Sequence, residues 1–402
     1  MTTLLELIKD ASINSKSLDV HSDYPVVLNP DQILSNLKYE LEDDSSSYPI
    51  KPVIGWKISE TDNEIIEINK KFMKELKTKV KSADNLKKDE FIGRLISFLE
   101  SIREKVGVLI EIGGSAGSAY CKILIGKLGS FVGKDVAGLV LDGCVSLEIW
   151  ELVEALIVNG VIVNSCYSNL VAKLVEKKRS DLICLCCKHA FDLGASEIFS
   201  ILRYFLSPSK DALSSMVSIK KEWENQALFA IEKASDSNLK RKNSIVAKEA
   251  SILFMMAYDG FSAPELCLHY LVSSPNINNA ISSPAFSKLN GKELLNLIRY
   301  LAKWFKKYER FPQAGPCPKA SLVLGLEACH WIPKLEDVVK CLGFVLDENF
   351  SSLVLHPQFH EELRSVEGMV SCLTAEAKIC NMVTAVTEKL KIEVTRGRDK
   401  LI

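Results

Sequence analysis

From residue 61 onward, apolar positions recur at three- and four-residue steps. Ile65, Ile68, Phe72, Leu76 and Val80 form one such row, with Lys70, Lys71, Lys74, Lys77, Lys79 and Lys81 between them. That spacing gathers the apolar side chains on one face of an α-helix and leaves a basic outer face. Phe91, Leu95, Phe98 and Ile102 predict a second helix. Beyond 146 the pattern predicts helices of ~10–15 residues joined by short loops. One runs through Ile149, Leu152 and Leu156 to Gly160, and the next carries Leu170, Leu174 and Val175. A third spans 182–191, and a fourth carries Ile198, Leu202 and Phe205. Ser207 and Pro208 are read as the cap of the helix that follows, and Ser262 with Glu265 has the spacing of a capping box. Leu294, Leu297, Ile298, Leu301, Trp304, Phe305 and Tyr308 line one face of a later helix, with Lys303, Lys306 and Lys307 largely away from it. Over 361–392, Leu363, Val366, Val370, Leu373, Ala377, Cys380 and Val383 form a stripe with no proline and one glycine, Gly368. It fits one long helix or two.

Two stretches break this pattern. Residues 1–60 mix a short amphipathic start with polar sequence. Asn29 and Pro30 suit a helix start, and the acidic and serine run before Pro49 and Pro52 suits a linker. Residues 107–112 are compatible with a short strand before Gly113, Gly114 and Gly117. The expected fold is therefore all-α: a helical-repeat, α-solenoid-like array of short helix pairs with a long C-terminal helical stretch. No strict sequence period is visible. The expected division is a partly irregular segment at 1–60, a helical region with a Gly-rich loop at 61–145, a helical-repeat domain at 146–330 and a C-terminal assembly domain at 331–402.

Composition narrows the function. The 402 residues carry a formal net charge of −1, which argues against a surface built throughout to grip phosphates. The twelve cysteines fall largely in apolar runs, as Cys184, Cys186, Cys187, Cys267 and Cys341 do, and read as small buried hydrophobes of a reducing compartment. The start lacks a basic region followed by a long apolar run, and the apolar stretches seen fall short of the ~18 residues a membrane span needs. A cytoplasmic or nuclear protein with no membrane contact is expected.

Each candidate chemistry meets an obstacle. Gly129 and Gly133-Lys134-Asp135 have three residues between the glycines and end in Asp, where a phosphate-binding loop needs four and then Ser or Thr. Gly113, Ser115 and Gly117 match the G-x-S-x-G elbow of hydrolases, but that fold needs further parallel strands, and none is read after 146. Cys184 and Cys187 form one CxxC beside His189, without the second pair that a structural zinc site uses. His360 and Glu362 match H-x-E, but no P-C-x-x-C follows. No catalytic, cofactor-binding or metal-binding residue is expected. The lysine face at 70–81 is read as a solvated helix face and Lys240-Arg241-Lys242 as a loop, with weak or indirect RNA contact or a weak nuclear import patch as the functional alternatives.

Two segments carry a resemblance. Leu335-Glu336-Asp337-Val338-Val339-Lys340-Cys341-Leu342-Gly343-Phe344-Val345-Leu346-Asp347-Glu348-Asn349-Phe350 resembles a helix of the nucleolar protein eleven family ending in a leucine-leucine-aspartate-x-x-phenylalanine element, with Val345 in place of the first leucine. Leu174-Val175-Glu176-Lys177-Lys178-Arg179-Ser180-Asp181-Leu182-Ile183-Cys184-Leu185-Cys186 is similar to that family's glutamate-lysine-lysine and leucine-cysteine-leucine helix pair. The resemblance implies a non-catalytic subunit of the t-UTP (UtpA) subcomplex of the small-subunit processome. Its place would be the nucleolus, in ribosomal RNA transcription and early 18S rRNA processing, with sister subunits as partners. The family's N-terminal β-propeller has no counterpart in this pattern, so the chain matches the helical half alone. Leu346, Phe350, Leu353, Leu363 and Val370 are the residues expected to pack against a partner. The alternatives are a generic helical adaptor of another complex, or an enzyme using the loop at 113–117.

Overall fold

The computed structural model describes residues 59–81, 87–109, 117–236, 241–278, 282–312, 314–315 and 317–398. The chain divides after Glu60, and the architecture that follows is that of Thr61–Ile402. The helix and linker expected within 1–52, and the Gly113/Ser115 loop, lie outside the described residues. Residues on both sides of 145/146 and of 330/331 share one continuous core.

Among the described residues the fold is all-α, with sixteen α-helices and no strand. In order they are α1 (Glu60–Lys81), α2 (Lys88–Val106), α3 (Ser118–Leu128), α4 (Lys134–Ser146), α5 (Trp150–Val158), α6 (Tyr167–Glu176), α7 (Ser180–His189) and α8 (Ala195–Leu206). They continue as α9 (Lys210–Ser235), α10 (Arg241–Tyr258), α11 (Ala263–Val272), α12 (Ser283–Phe286), α13 (Gly291–Arg310), α14 (Pro318–Leu324), α15 (Leu335–Leu355) and α16 (His360–Arg398). The strand considered at 107–112 does not begin as one. Gly107 ends α2 in the left-handed region (φ 72°), returning its N–H to the Arg103 carbonyl. The cap of α9 is Ser209, two residues beyond the expected Ser207, because its hydroxyl reaches the Ala212 N–H at 3.3 Å.

The first half is an array of helix pairs. α3 packs on α5, α5 on α7 and α6 on α8, while α4 pairs with α5 and α6 with α7, so the pairs stack on one another. The links α4–α5 and α6–α7 share one turn. Ile149 N–H bonds to Cys144 O (2.8 Å) and Arg179 N–H to Leu174 O (3.0 Å), closing the last helical turn in the same way. Each turn places a non-glycine residue at positive φ, Glu148 (53°) and Lys178 (57°). Those two residues are thirty apart, and the same displacement carries Val140 to Leu170, Cys144 to Leu174, Leu152 to Leu182 and Leu156 to Cys186, all buried. A repeat is therefore present over two pairs, written in burial and not in residue identity. The expectation of no strict sequence period concerns residue identity and is unaffected by it. Lys177 Nζ meets Glu148 Oε1 at 2.7 Å, tying one turn to the next.

The second half closes around α11, whose residues from Leu266 to Val272 are all buried. It packs against α7, α8, α9 and α15. Buried polar groups fix this arrangement. Asn276 donates to Ala190 O (2.7 Å) and accepts from Leu193 N–H (3.0 Å), which holds the α7–α8 link to the end of α11. On α13 the seven predicted apolar residues are all buried. Its start carries a capping box that the sequence reading did not single out: Asn290 Oδ1 accepts from Glu293 N–H, and the Glu293 carboxylate accepts from Asn290 N–H, both at 3.0 Å.

Candidate functional site

The CxxC cysteines weighed for metal binding serve the core, whereas His360 and Glu362 stand at the start of α16. Cys184, Cys186 and Cys187 are buried on α7, and burial pushes the Cys186 and Cys187 thiols well above their usual range. Burial likewise raises Cys121, Cys329 and Cys341, each to about 12. A protonated thiol is a poor nucleophile and a poor ligand. Among the described residues, no group of three or more His, Cys, Asp or Glu side chains could hold a metal ion. Lys70, Lys71, Lys74 and Lys77 are exposed on α1, and Lys70 pairs with Glu67 at 2.9 Å. The side chains of Lys79, Lys81, Lys240 and Arg241 lie outside the described residues.

The five residues expected to pack against a partner converge differently. α15 is not straight: Asn349 departs from helical geometry (φ −119°, ψ 15°). Its buried amide donates to Val345 O (3.1 Å) and across to Phe286 O (3.2 Å). An amide inserted into the backbone ladder in this way bends a helix. The bend carries Phe350, Leu353 and Val354 toward the first turns of α16. His360 at the start of α16 donates from Nε2 to Val354 O at 2.9 Å, so the two helices meet at a fixed corner.

Between them lies an apolar groove of about 600 Å³. Leu346, Phe350, Leu353 and Leu363 all line it, with Leu342, Val354 and Val366. Their exposures differ. Phe350 is 68% exposed and Leu346 37%, whereas Leu353 is 3% exposed and forms the floor. Val370 does not line the groove; it is half-buried against the body further along α16. Arg364 and Glu367 stand at the rim.

α16 is one helix, not two. Val366, Met369, Val370 and Leu373 pack on the body, and Arg299 Nε reaches Glu362 Oε1 at 2.7 Å to fix it on α13. After Leu373 every described side chain on the helix is exposed. Residues 374–398 carry it onward by on the order of 35 Å at ~1.5 Å per residue. Ala377, Cys380 and Val383, predicted members of the stripe, lie in this exposed part. So do Ile379, Met382, Val386 and Leu390, which the sequence reading left out although their three- and four-residue spacing marks a second row. By length and composition, Pro357–Ile392 also holds an 18-residue window apolar enough to cross a membrane, and none of that window is buried. This corrects the expectation that no segment reaches that threshold.

Comparison of this chain with family models, with curated proteins and with solved structures finds no match.

Proposed function

We propose that this chain is a non-catalytic scaffold subunit that assembles with other proteins through its C-terminal groove and the exposed length of α16. One observation carries the reading: an apolar groove and a projecting helix with a second apolar row lie side by side, both uncovered. Contiguous uncovered apolar surface of this kind marks a docking site. A protein surface suits α16 better than a lipid core does. Glu376 and Lys378 lie within the apolar stretch, and each costs ~2.5–3.5 kcal/mol at the centre of a bilayer.

The biological setting we propose is ribosome biogenesis, as a nucleolar subunit supporting pre-rRNA transcription and early 18S rRNA processing beside t-UTP-like sister subunits. The two quoted segments support it through their resemblance to the nucleolar protein eleven family. Val345, at the departing position of that element, is buried, while Leu346 and Phe350 reach the groove. Affinity purification of the tagged full-length chain from its native cells, read by mass spectrometry, tests the setting. Processome subunits are expected. Recovery of an unrelated complex without nucleolar proteins removes the ribosomal setting and leaves a helical adaptor.

A further inference from the structure

The groove and the distal part of α16 are two apolar surfaces on one chain, and a straight helix cannot return to the groove beside its own first turns. A second copy's helix can. Along one line of α16, Gly368, Ser371 and Ala375 are followed by Ile379, Met382 and Val386, at steps of three and four. All are exposed. The small residues come first and the large apolar ones after. Gly368 sits inside the helix, where glycine costs about 1 kcal/mol relative to alanine. A Cβ added there would meet nothing within 4 Å, so no neighbour in this chain requires the glycine. Small residues at such spacing allow two helices to cross closely.

We propose that a second copy of this chain covers the groove: two α16 helices cross antiparallel at 368–375, and the Ile379–Met382–Val386 row of each seats in the other's groove at Leu346, Phe350 and Leu363. This rests on the reading of the C-terminal surface as a docking site and names its occupant. Charge supports the antiparallel sense. Glu367 at the groove rim and Lys378 lie on the same side of the helix, and neither has a partner among the described residues. An antiparallel crossing near 372 brings Glu367 of each copy beside the partner's Lys378, twice by symmetry. The lengths also agree, because the α15 side of the groove, 342–354, and the row 379–390 each span about three helical turns. Such a contact is isologous and closes at two chains, with both uncovered surfaces filled at once.

The test is sedimentation velocity of the full-length chain over a concentration series, with vesicle flotation on neutral and anionic lipid alongside. A species of twice 44.7 kDa is expected. Phe350→Asp and Met382→Asp change side chains that are 68% and 65% exposed, so they should leave the helical circular dichroism and Tm unchanged and yield monomer. Glu367→Lys and Lys378→Glu should each raise the dimer Kd by about tenfold, equivalent to ~1.4 kcal/mol, and the double exchange should restore it. A monomer at every concentration, a dimer indifferent to these changes, failure of the double exchange to restore, or flotation with vesicles in place of dimerisation overturns the proposal. If the chain is monomeric while Phe350→Asp still loses its co-purifying subunits, the scaffold reading stands and only the second copy falls.

Discussion

His269 sits at the centre of the second half, fully buried among Trp223, Phe261, Tyr300 and Trp304. Its Nε2 faces Ala257 O at 2.9 Å, and a carbonyl only accepts, so Nε2 carries the proton. Nδ1 then accepts from the Tyr300 hydroxyl, also at 2.9 Å. Burial disfavours the charged ring and lowers its pKa from 6.5 to about 4. The unfolded chain therefore binds a proton that the folded chain refuses between those values. Stability from this residue is intact above pH 6.5 and is lost as pH falls toward 4, by on the order of 3 kcal/mol in total. Urea unfolding from pH 7.5 to 4 should show that decline, and a His269→Gln variant should lose much of the slope. Tyr300→Phe leaves Nδ1 buried without a donor and should cost about 1–3 kcal/mol at neutral pH. Local sequence could not show this role for His269, because its partners come from 257 and 300.

At the scale of elements, the shared turn explains why short helices reverse so tightly. Lys178 adopts a left-handed conformation that costs a side chain ~1–2 kcal/mol and glycine almost nothing. Lys178→Gly should therefore raise Tm by a few degrees; an unchanged or lower Tm would mean that its side chain stabilises the turn. The opposite holds where α4 crosses α2. A Cβ on Gly143 would come within 2.6 Å of the buried Phe91 ring, so Gly143→Ala should destabilise by about 1–3 kcal/mol in chemical denaturation. Most helices were legible because one-sided burial leaves a 3.6-residue trace, as on α13, where every predicted core position is buried. The thirty-residue repeat was not legible, since Cys144 answers to Leu174 and Leu156 to Cys186: volume and burial recur while residue identity does not.

For the molecule as a whole, the division falls within α16. Up to Leu373 the helix belongs to the core; beyond it, no described side chain is buried. Ending the chain after Leu373 should leave Tm within about 1–2 °C of the full chain at low concentration while abolishing association; a large loss of Tm would show that the distal helix supports the body. The sequence by itself determined the all-α class, the positions of most helices and the pairing of Ser262 with Glu265. These depend on local periodicity and on contacts three or four residues apart. It also pointed to Leu346, Phe350, Leu353 and Leu363, though through a motif and not through a shape. Only the tertiary structure decided that these four line one groove while Val370 does not, that Leu353 is its floor and that Phe350 is open. The deciding contact is the bond from the Asn349 amide to Phe286, sixty-three residues away, which bends α15 toward α16. Periodicity reports which face of a helix is apolar. Whether that face is covered depends on which distant helices reach it.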